Sequence, residues 1–290
     1  MFWLWILLGL GALVLVWAAL IERNLFTVKY DSVAVLPKGS APIRVLHISD
    51  IHMAPWQKRK QSWVSQLSAL KVDLVVDTGD NLGHVNAVQS TLNALAPLIA
   101  LPGVFVNGSN DYHAPGFRNP LSYLIKPSTP TPGKPLDTEK LLSGLEKGWL
   151  NLNNRSGELT IKGTRIGFVG LDDPHDQLAE YDSIQPPKGI DVLFGVAHAP
   201  YRRVIEVMGE AELIFAGHTH GGQVCLPGGR AIVTNCDLPA KNARGLSGWS
   251  TAKGETILNV CAGLGTSIFA PVRLFCRPEV RLLTLLPKNY

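Results

Sequence analysis

Cysteine is scarce in this 290-residue chain: Cys225, Cys236, Cys261 and Cys276, with no C-x-x-C pair among them. That spacing excludes a zinc ribbon, an iron–sulfur cluster and a disulfide-stapled mini-domain, and leaves the thiols as small buried hydrophobes. Charge is also sparse, at 17% of residues against 46% hydrophobic, which excludes disorder and coiled coil. The net charge of +4 has no basic run longer than Lys58-Arg59-Lys60 behind it, so nucleic acid is not an expected partner. There is no internal repeat and no Gly-x-Ser-x-Gly elbow of a serine hydrolase. The length suits one large domain or two small ones.

What is present begins at the N-terminus. Phe2 to Ile21 is a run of 20 residues without charge, with Trp3, Trp5 and Trp17 near its ends. At about 1.5 Å per residue such a helix matches the roughly 30 Å hydrocarbon core of a bilayer, and indole rings favour the headgroup level. A cleaved signal peptide would carry a shorter apolar core behind a Lys or Arg. The reading is therefore a single-pass anchor over 1–22 in the cell membrane, then a linker over 23–42. No positive charge precedes the run, while Arg23, Lys29, Lys38 and Arg44 follow it. The positive-inside bias then puts the remainder in the cytoplasm.

From Ile43 onward, short apolar runs alternate with amphipathic stretches. Strands are predicted at Ile43–Ile48, Val72–Val76, Val104–Val106, Ile166–Val169, Val192–Val196, Leu213–Phe215 and Thr256–Val260, and helices at Gln57–Leu70, Ala87–Ile99, Thr138–Lys147 and Tyr201–Met208. Such alternation predicts α/β layers around a buried sheet. Residues 114–137 carry six prolines and little periodicity, so a long irregular loop is expected there.

Polar residues collect where the apolar runs end. Ser49-Asp50-Ile51-His52 follows Ile48, Asp77-Thr78-Gly79-Asp80-Asn81 follows Val76, and Asn107-Gly108-Ser109-Asn110-Asp111 follows Val106. Ala197-His198-Ala199-Pro200 follows Val196, and Gly217-His218-Thr219-His220-Gly221-Gly222 follows Ala216. Ligands of open α/β sheets bind outside the carboxyl ends of strands, so these five loops converge where a site would form. Singly, each has a plain explanation: Asp-x-His arises by chance, Gly-Asp-Asn is a natural turn, and a solitary His198 would be a hydrogen-bonded core residue. His-x-His is more telling, because residues two apart on an extended segment face the same way. Asp, His and Asn, with no thiolate among them, suit Mn, Fe, Zn or Ni. His47 reads as buried and satisfied within its strand, and His84, His113 and His175 as loop residues.

The ordered set Asp50-x-His52, Gly79-Asp80, Gly108-Ser109-Asn110-Asp111, His198 and Gly217-His218-Thr219-His220 resembles the calcineurin-like metallophosphoesterase superfamily, over about Ile43 to Leu286. The terminal apolar helix and the His-Thr-His-Gly-Gly-Gln ending are similar to its bacterial membrane-associated branch. The resemblance implies a four-layer α/β/β/α sandwich over 43–290 holding two divalent metal ions. It implies Asp50, His52 and His220 on the first ion, and His198, His218 and an Asn of the third motif on the second. Asp80 would bridge both, and a metal-bound hydroxide would attack the phosphoester or pyrophosphate bond. The third motif departs from the family's Gly-Asn-His-Asp. Ser109 is a poor ligand, so Asn110 is expected to coordinate through its carbonyl oxygen, and the usual general-acid imidazole is missing. The expected function is a membrane-anchored phosphoesterase, with a lipid-linked phosphorylated substrate foremost. The alternatives are a soluble-nucleotide phosphodiesterase and a non-catalytic metal-binding membrane protein.

Overall fold

The computed structural model describes residues 1–116, 133–266 and 268–289. Most of the expected proline-rich loop therefore lies outside the described residues, and at its edges His113 bridges Pro135. The chain starts with helix α1 (Phe2–Val16), which runs on through a π turn (Trp17–Ile21) and a 3-10 turn (Glu22–Asn24). Phe2–Asn24 is thus one helical stretch of 23 residues whose most apolar 18-residue window has mean hydropathy 2.6, long and apolar enough to cross a membrane.

The stretch 23–42, read from sequence as a linker, is instead built into the fold. Strand β1 (Thr27–Leu36) pairs in parallel with the last strand, β14 (Glu279–Pro287), from Thr27↔Glu279 onward. It lies at a sheet edge, where Lys29, Tyr30, Ser32 and Ala34 stay exposed while Val35 and Leu36 are buried. That half-polar pattern conceals a strand from a search for apolar runs.

Two six-stranded sheets are formed among the described residues. The first has the order β1-β14-β2-β3-β4-β5, with β2 Ile43–Ile48, β3 Leu74–Asp77, β4 Gly103–Phe105 and β5 Trp149–Asn151. The second has the order β12-β13-β9-β8-β7-β6, with β6 Arg155–Ile161, β7 Thr164–Gly170, β8 Val192–Val196, β9 Leu213–Ala216, β12 Gly245–Thr251 and β13 Gly254–Val260. A ribbon of β10 (Cys225–Leu226) and β11 (Arg230–Ala231) stands apart. The central strands β2, β3 and β4 run parallel, as do β7, β8, β9 and β13. Their carboxyl ends therefore open on one edge of each sheet.

The sheets pack face to face over Val45, Val76, Phe168, Phe194, Phe215 and Leu283. Phe194 meets Phe168 and Phe215 edge-on, each at 6.0 Å between centroids, and burying one such ring contributes about 2–3 kcal/mol. Helices α2 (Lys58–Gln66), α3 (Val88–Ile99) and α5 (Thr138–Leu145) cover the outer face of the first sheet. In α3 the buried face is Val88, Thr91, Ala94, Leu95 and Leu98, the spacing of an amphipathic helix. Asp137 caps α5 by accepting from the Lys140 amide. Short helix α4 (Ser109–Tyr112) follows β4. The fourth layer is thin: α6 (Arg202–Val207) and loop residues around Ile184 and Leu238 cover the second sheet. His47 is buried and fully engaged, as its mid-strand position predicted. Its Nε2 meets Thr78 Oγ1 at 3.1 Å, and Nδ1 accepts from Asn259 Nδ2 at 2.7 Å.

Candidate metal centre

The turns after β2, β3, β8 and β9 and the start of α4 bring the seven expected residues to one place. Asp50 and His52 follow β2, Asp80 follows β3, His198 follows β8, and His218 and His220 follow β9. Asn110 sits in the first turn of α4. Five of them lie in the left-handed region, with φ of +47° at Asp50, +43° at His52, +57° at Asp80, +67° at His218 and +49° at His220. Non-glycine residues seldom occur there, and such strain concentrates at functional sites. Glycine supplies close approach nearby: a Cβ on Gly108 would stand 2.3 Å from Asp80 Oδ1 and 2.7 Å from His198.

Ligand-type atoms of Asp50, His52 and His220 lie within 4.8 Å of one another, as do those of Asp50, Asp80 and His198. Asp80 Oδ2 is 3.4 Å from His52 Nε2 and 3.6 Å from His198 Nε2, and Asp50 Oδ1 is 3.6 Å from His220 Nε2. His218 joins at the rim of this cluster, its ring centroid 5.2 Å from that of His198. Asn110 approaches through Asp80: its backbone amide donates to Oδ1 at 2.8 Å and its side chain to Oδ2 at 2.7 Å. Ser109 makes no comparable contact with Asp80.

The supports behind the ring nitrogens are specific. His198 Nδ1 donates to Thr78 O at 2.7 Å, which fixes the ring with Nε2 turned toward Asp80. His218 Nε2 donates to Asn235 O at 3.2 Å, leaving Nδ1 for the cluster. The Asp50 carboxylate accepts from Ser49 Oγ at 2.5 Å and from the His218 amide at 3.0 Å, both on Oδ2. Asp50 Oδ1, His52 Nε2 and His198 Nε2 are buried without a hydrogen-bond partner. Buried polar atoms are rarely orphaned, and three converging on one space fit a cation held there.

The charges agree. Burial pushes the Asp50 carboxyl up to about 6. Burial also pushes Asp80 up, but the imidazoles of His198 and His52 and both Asn110 hydrogen bonds outweigh it and hold the carboxyl well below its usual range. Burial opposes charge on His198, yet the carboxylates of Asp80, Asp173 and Asp50 push it up to about 10. The same burial lowers His52 to about 4 and depresses His218 and His220. The cluster thus favours one extra positive charge at its centre and otherwise neutral imidazoles, the state in which histidine binds metal.

One strand end escaped the sequence reading. The loop after β7 delivers Asp173, fully buried, and His175, whose ring centroid is 4.6 Å from that of His218 and whose Nδ1 meets Tyr201 Oη at 2.8 Å. The signal was available, since Leu171-Asp172-Asp173-Pro174-His175 follows an apolar strand just as the other five motifs do. Arg273 also went unnoticed, because nothing in its neighbourhood resembles a motif. It is fully buried and donates to the carbonyls of His220, Ala262, Gly263, Gly265 and Cys276.

Comparison with known proteins agrees with this picture. The chain is similar to an uncharacterized metallophosphoesterase of Aquifex aeolicus (strain VF5), 28% identical over 258 residues that make up 88% of each chain. It is similar to the uncharacterized metallophosphoesterase YkuE of Bacillus subtilis (strain 168), 24% identical over 93% of this chain and 87% of that one. It also resembles the transmembrane protein with metallophosphoesterase domain of Bos taurus, 25% identical over 65% of this chain and 43% of the bovine one. The model of the calcineurin-like phosphoesterase family matches residues 43–222. The chain belongs to the calcineurin-like phosphoesterase family and is a metal-dependent hydrolase of phosphoric esters.

Proposed function

We propose that this chain is a membrane-anchored dinuclear phosphoesterase. Asp50, His52 and His220 would hold one cation, His198, His218 and Asn110 the other, and Asp80 would stand between them. One observation carries the reading: a single oxygen, Asp80 Oδ2, faces the Nε2 atoms of His52 and His198 at 3.4 and 3.6 Å. A bound pair of Mn, Fe, Zn or Ni ions supplies Lewis acidity toward the phosphoryl oxygens and activates water. The chain's own part is to orient the donors. Ser49 and the His218 amide fix the Asp50 carboxylate, Thr78 O fixes the His198 tautomer, and Asn110 fixes Asp80. Coordination through Asn110 Oδ1 requires its amide to turn over, exchanging the nitrogen that now faces Asp80 for the oxygen.

The phosphorylated substrate is lipid-linked in this reading, because the apolar span over 1–22 holds the site close to a bilayer, with the catalytic domain on the cytoplasmic side of the cell membrane. Asparagine at 110 cannot donate a proton, so leaving groups of low basicity, such as a phosphate or a phenolate, are favoured over simple alkoxides. The test is phosphate release from aryl phosphate mono- and diesters, a lipid pyrophosphate and a nucleotide, using full-length chain reloaded with manganese. Two bound equivalents of metal with no turnover on any of these would sink the enzymatic reading. Turnover of the nucleotide alone would replace the lipid-linked substrate. Protease added to intact spheroplasts should leave the domain uncut, and digestion there would reverse the orientation.

A further inference from the structure

The foot of the N-terminal helix is a rigid joint. The Arg273 amide donates to Ala18 O at 3.1 Å, the Cys276 amide to Glu22 Oε1 at 2.8 Å, and Arg23 Nη1 to Pro271 O at 3.3 Å. Trp17 Nε1 donates to the other oxygen of the same Glu22 at 2.9 Å. Three residues after Asn24 the chain is already in β1. The helix therefore fixes how the domain sits on any membrane it crosses.

The loop that makes this joint also backs the metal cluster. Arg273 donates to His220 O at 3.3 Å and approaches His220 Nδ1 at 3.4 Å, and Cys276 Sγ donates to His220 O at 3.3 Å. The β10–β11 ribbon lies against the same loop through a Val224↔Leu274 bridge, with the Cys225 amide on Leu274 O at 2.9 Å. On these paired segments the inward residues are Cys225 and Cys276, while Leu226 and Phe275 point out, 48% and 47% exposed. On the same two segments Ile232 and Ile268 are exposed as well, at 46% and 36%. Neither segment 220–235 nor 262–277 contains an acidic residue, and Arg230 and Arg277 are exposed on them. Exposed apolar side chains accompanied by two exposed arginines, with no carboxylate on either segment, match the headgroup zone of an anionic bilayer.

We infer that the β10–β11 ribbon and the 268–277 loop form a seat that inserts Leu226, Ile232, Ile268 and Phe275 into the bilayer the helix crosses, so that the His220 side of the metal cluster lies at headgroup depth. The argument for a lipid occupant is continuity: the seat is hydrogen-bonded to the last turns of the span itself. The inference rests on the membrane-anchored reading above, and it narrows the substrate to one whose phosphate lies at the membrane surface.

The experiment uses the full chain with Cys236→Ser, reconstituted in nanodiscs of phosphatidylcholine and phosphatidylglycerol. Single nitroxide labels go at Leu226→Cys, at Phe275→Cys and, as a control at the far end of the β12–β13 hairpin, at Lys253→Cys. Collisions with oxygen relative to those with a water-soluble nickel chelate should be several-fold higher at 226 and 275 than at 253. Chelate access at both seat positions equal to that at 253, in chain that stays with the nanodiscs, overturns the seat and leaves the anchor standing. Shielding of both positions from oxygen and chelate alike means a protein partner and also overturns it. Chain that separates from lipid in a carbonate wash overturns the anchored reading and the seat together.

Discussion

The two halves of the metal cluster are backed by different kinds of group, one by cations and the other by carboxyls that burial pushes toward their neutral form. Behind His52 and His220 lie buried cations: Lys60 Nζ donates to Ile51 O at 2.7 Å and His52 O at 3.4 Å, and Arg273 grips the carbonyls around His220. Behind Asn110, His198 and His218 lie buried carboxyls. Asp111 accepts from the amides of Asn81, Leu82 and Gly108, Asp77 from Gly79 and Asn81, and Asp173 from His175 and Asp176. Both devices shape the loops equally well, but their electrostatics differ. A cation behind an imidazole repels a metal ion, and the Arg273 guanidinium beside His220 Nδ1 also opposes the tautomer that would free Nε2. The half nearest the helix foot is thus expected to have the weaker cation affinity, since a bound ion in the other half would draw the backing carboxyls toward their charged form.

Removing the element common to both halves has the largest effect. Asp80→Ala should lose both ions and lower turnover by more than about 10²-fold, whereas His52→Ala should keep the ion of the carboxyl-backed half. Elemental analysis checks this, and two full equivalents in Asp80→Ala would remove the bridging assignment. Next is Arg273→Met, which leaves several buried carbonyls without a donor and should cost about 3 kcal/mol or more of stability. Denaturant midpoints measure it, and an unchanged midpoint would mean that water replaces the guanidinium. Stepwise chelation of the loaded protein should then remove the ion of the Asp50–His52–His220 half first, seen as a plateau at one equivalent. Simultaneous loss of both ions would erase the proposed difference.

Two smaller effects sharpen the contrast within each half. In the carboxyl-backed half, Ser109→Asn/Asn110→His should flatten the dependence of rate on leaving-group pKa, since a general acid is worth about 10²–10⁴-fold where the leaving oxygen is basic. A shallow slope in the wild type that steepens only in His113→Ala would instead make His113 the acid. In the cation-backed half, burial and the nearby Arg273 and Arg23 charges lower the Lys60 ammonium from 10.5 to about 7. The unfolded chain then binds the extra proton between those values, so stability rises as pH climbs from about 7 toward 10.5. Lys60→Met should abolish that rise in thermal denaturation scans, and an unaltered rise would exclude Lys60 as its source.

Much of this was legible in the sequence because the central strands are buried on both faces. Ile43–Ile48 and Val192–Val196 are found where the apolar runs predicted them, and α3 begins at Val88 rather than Ala87. Edge strands were not legible: β1, β6 and β12 alternate exposed polar with half-buried residues, a pattern that short loops share. Strand β14 shows another limit. It lies between β1 and β2, antiparallel to β2, and no local pattern reports that a chain's last strand will enter a sheet beside its first. At the cluster, Asp50, His52, Asp80, His198, His218 and His220 were marked by their places at strand ends, and Asp80, His218 and His220 also by adjacent glycines. Arg273 was invisible because its partners are backbone carbonyls, which have no signature in side-chain sequence.

The positive φ angles at Asp50, His52, Asp80, His218 and His220 carry a consequence for how such a chain can drift. Each holds an L-residue in a conformation that costs roughly 1 kcal/mol or more and that glycine adopts freely. At these five positions folding stability and ligand identity pull toward different residues, so Asp80→Gly should melt higher than Asp80→Ala although both lack the carboxylate. Laboratory evolution toward heat resistance, with no assay for turnover, would therefore erode this cluster toward glycine before it touched the core.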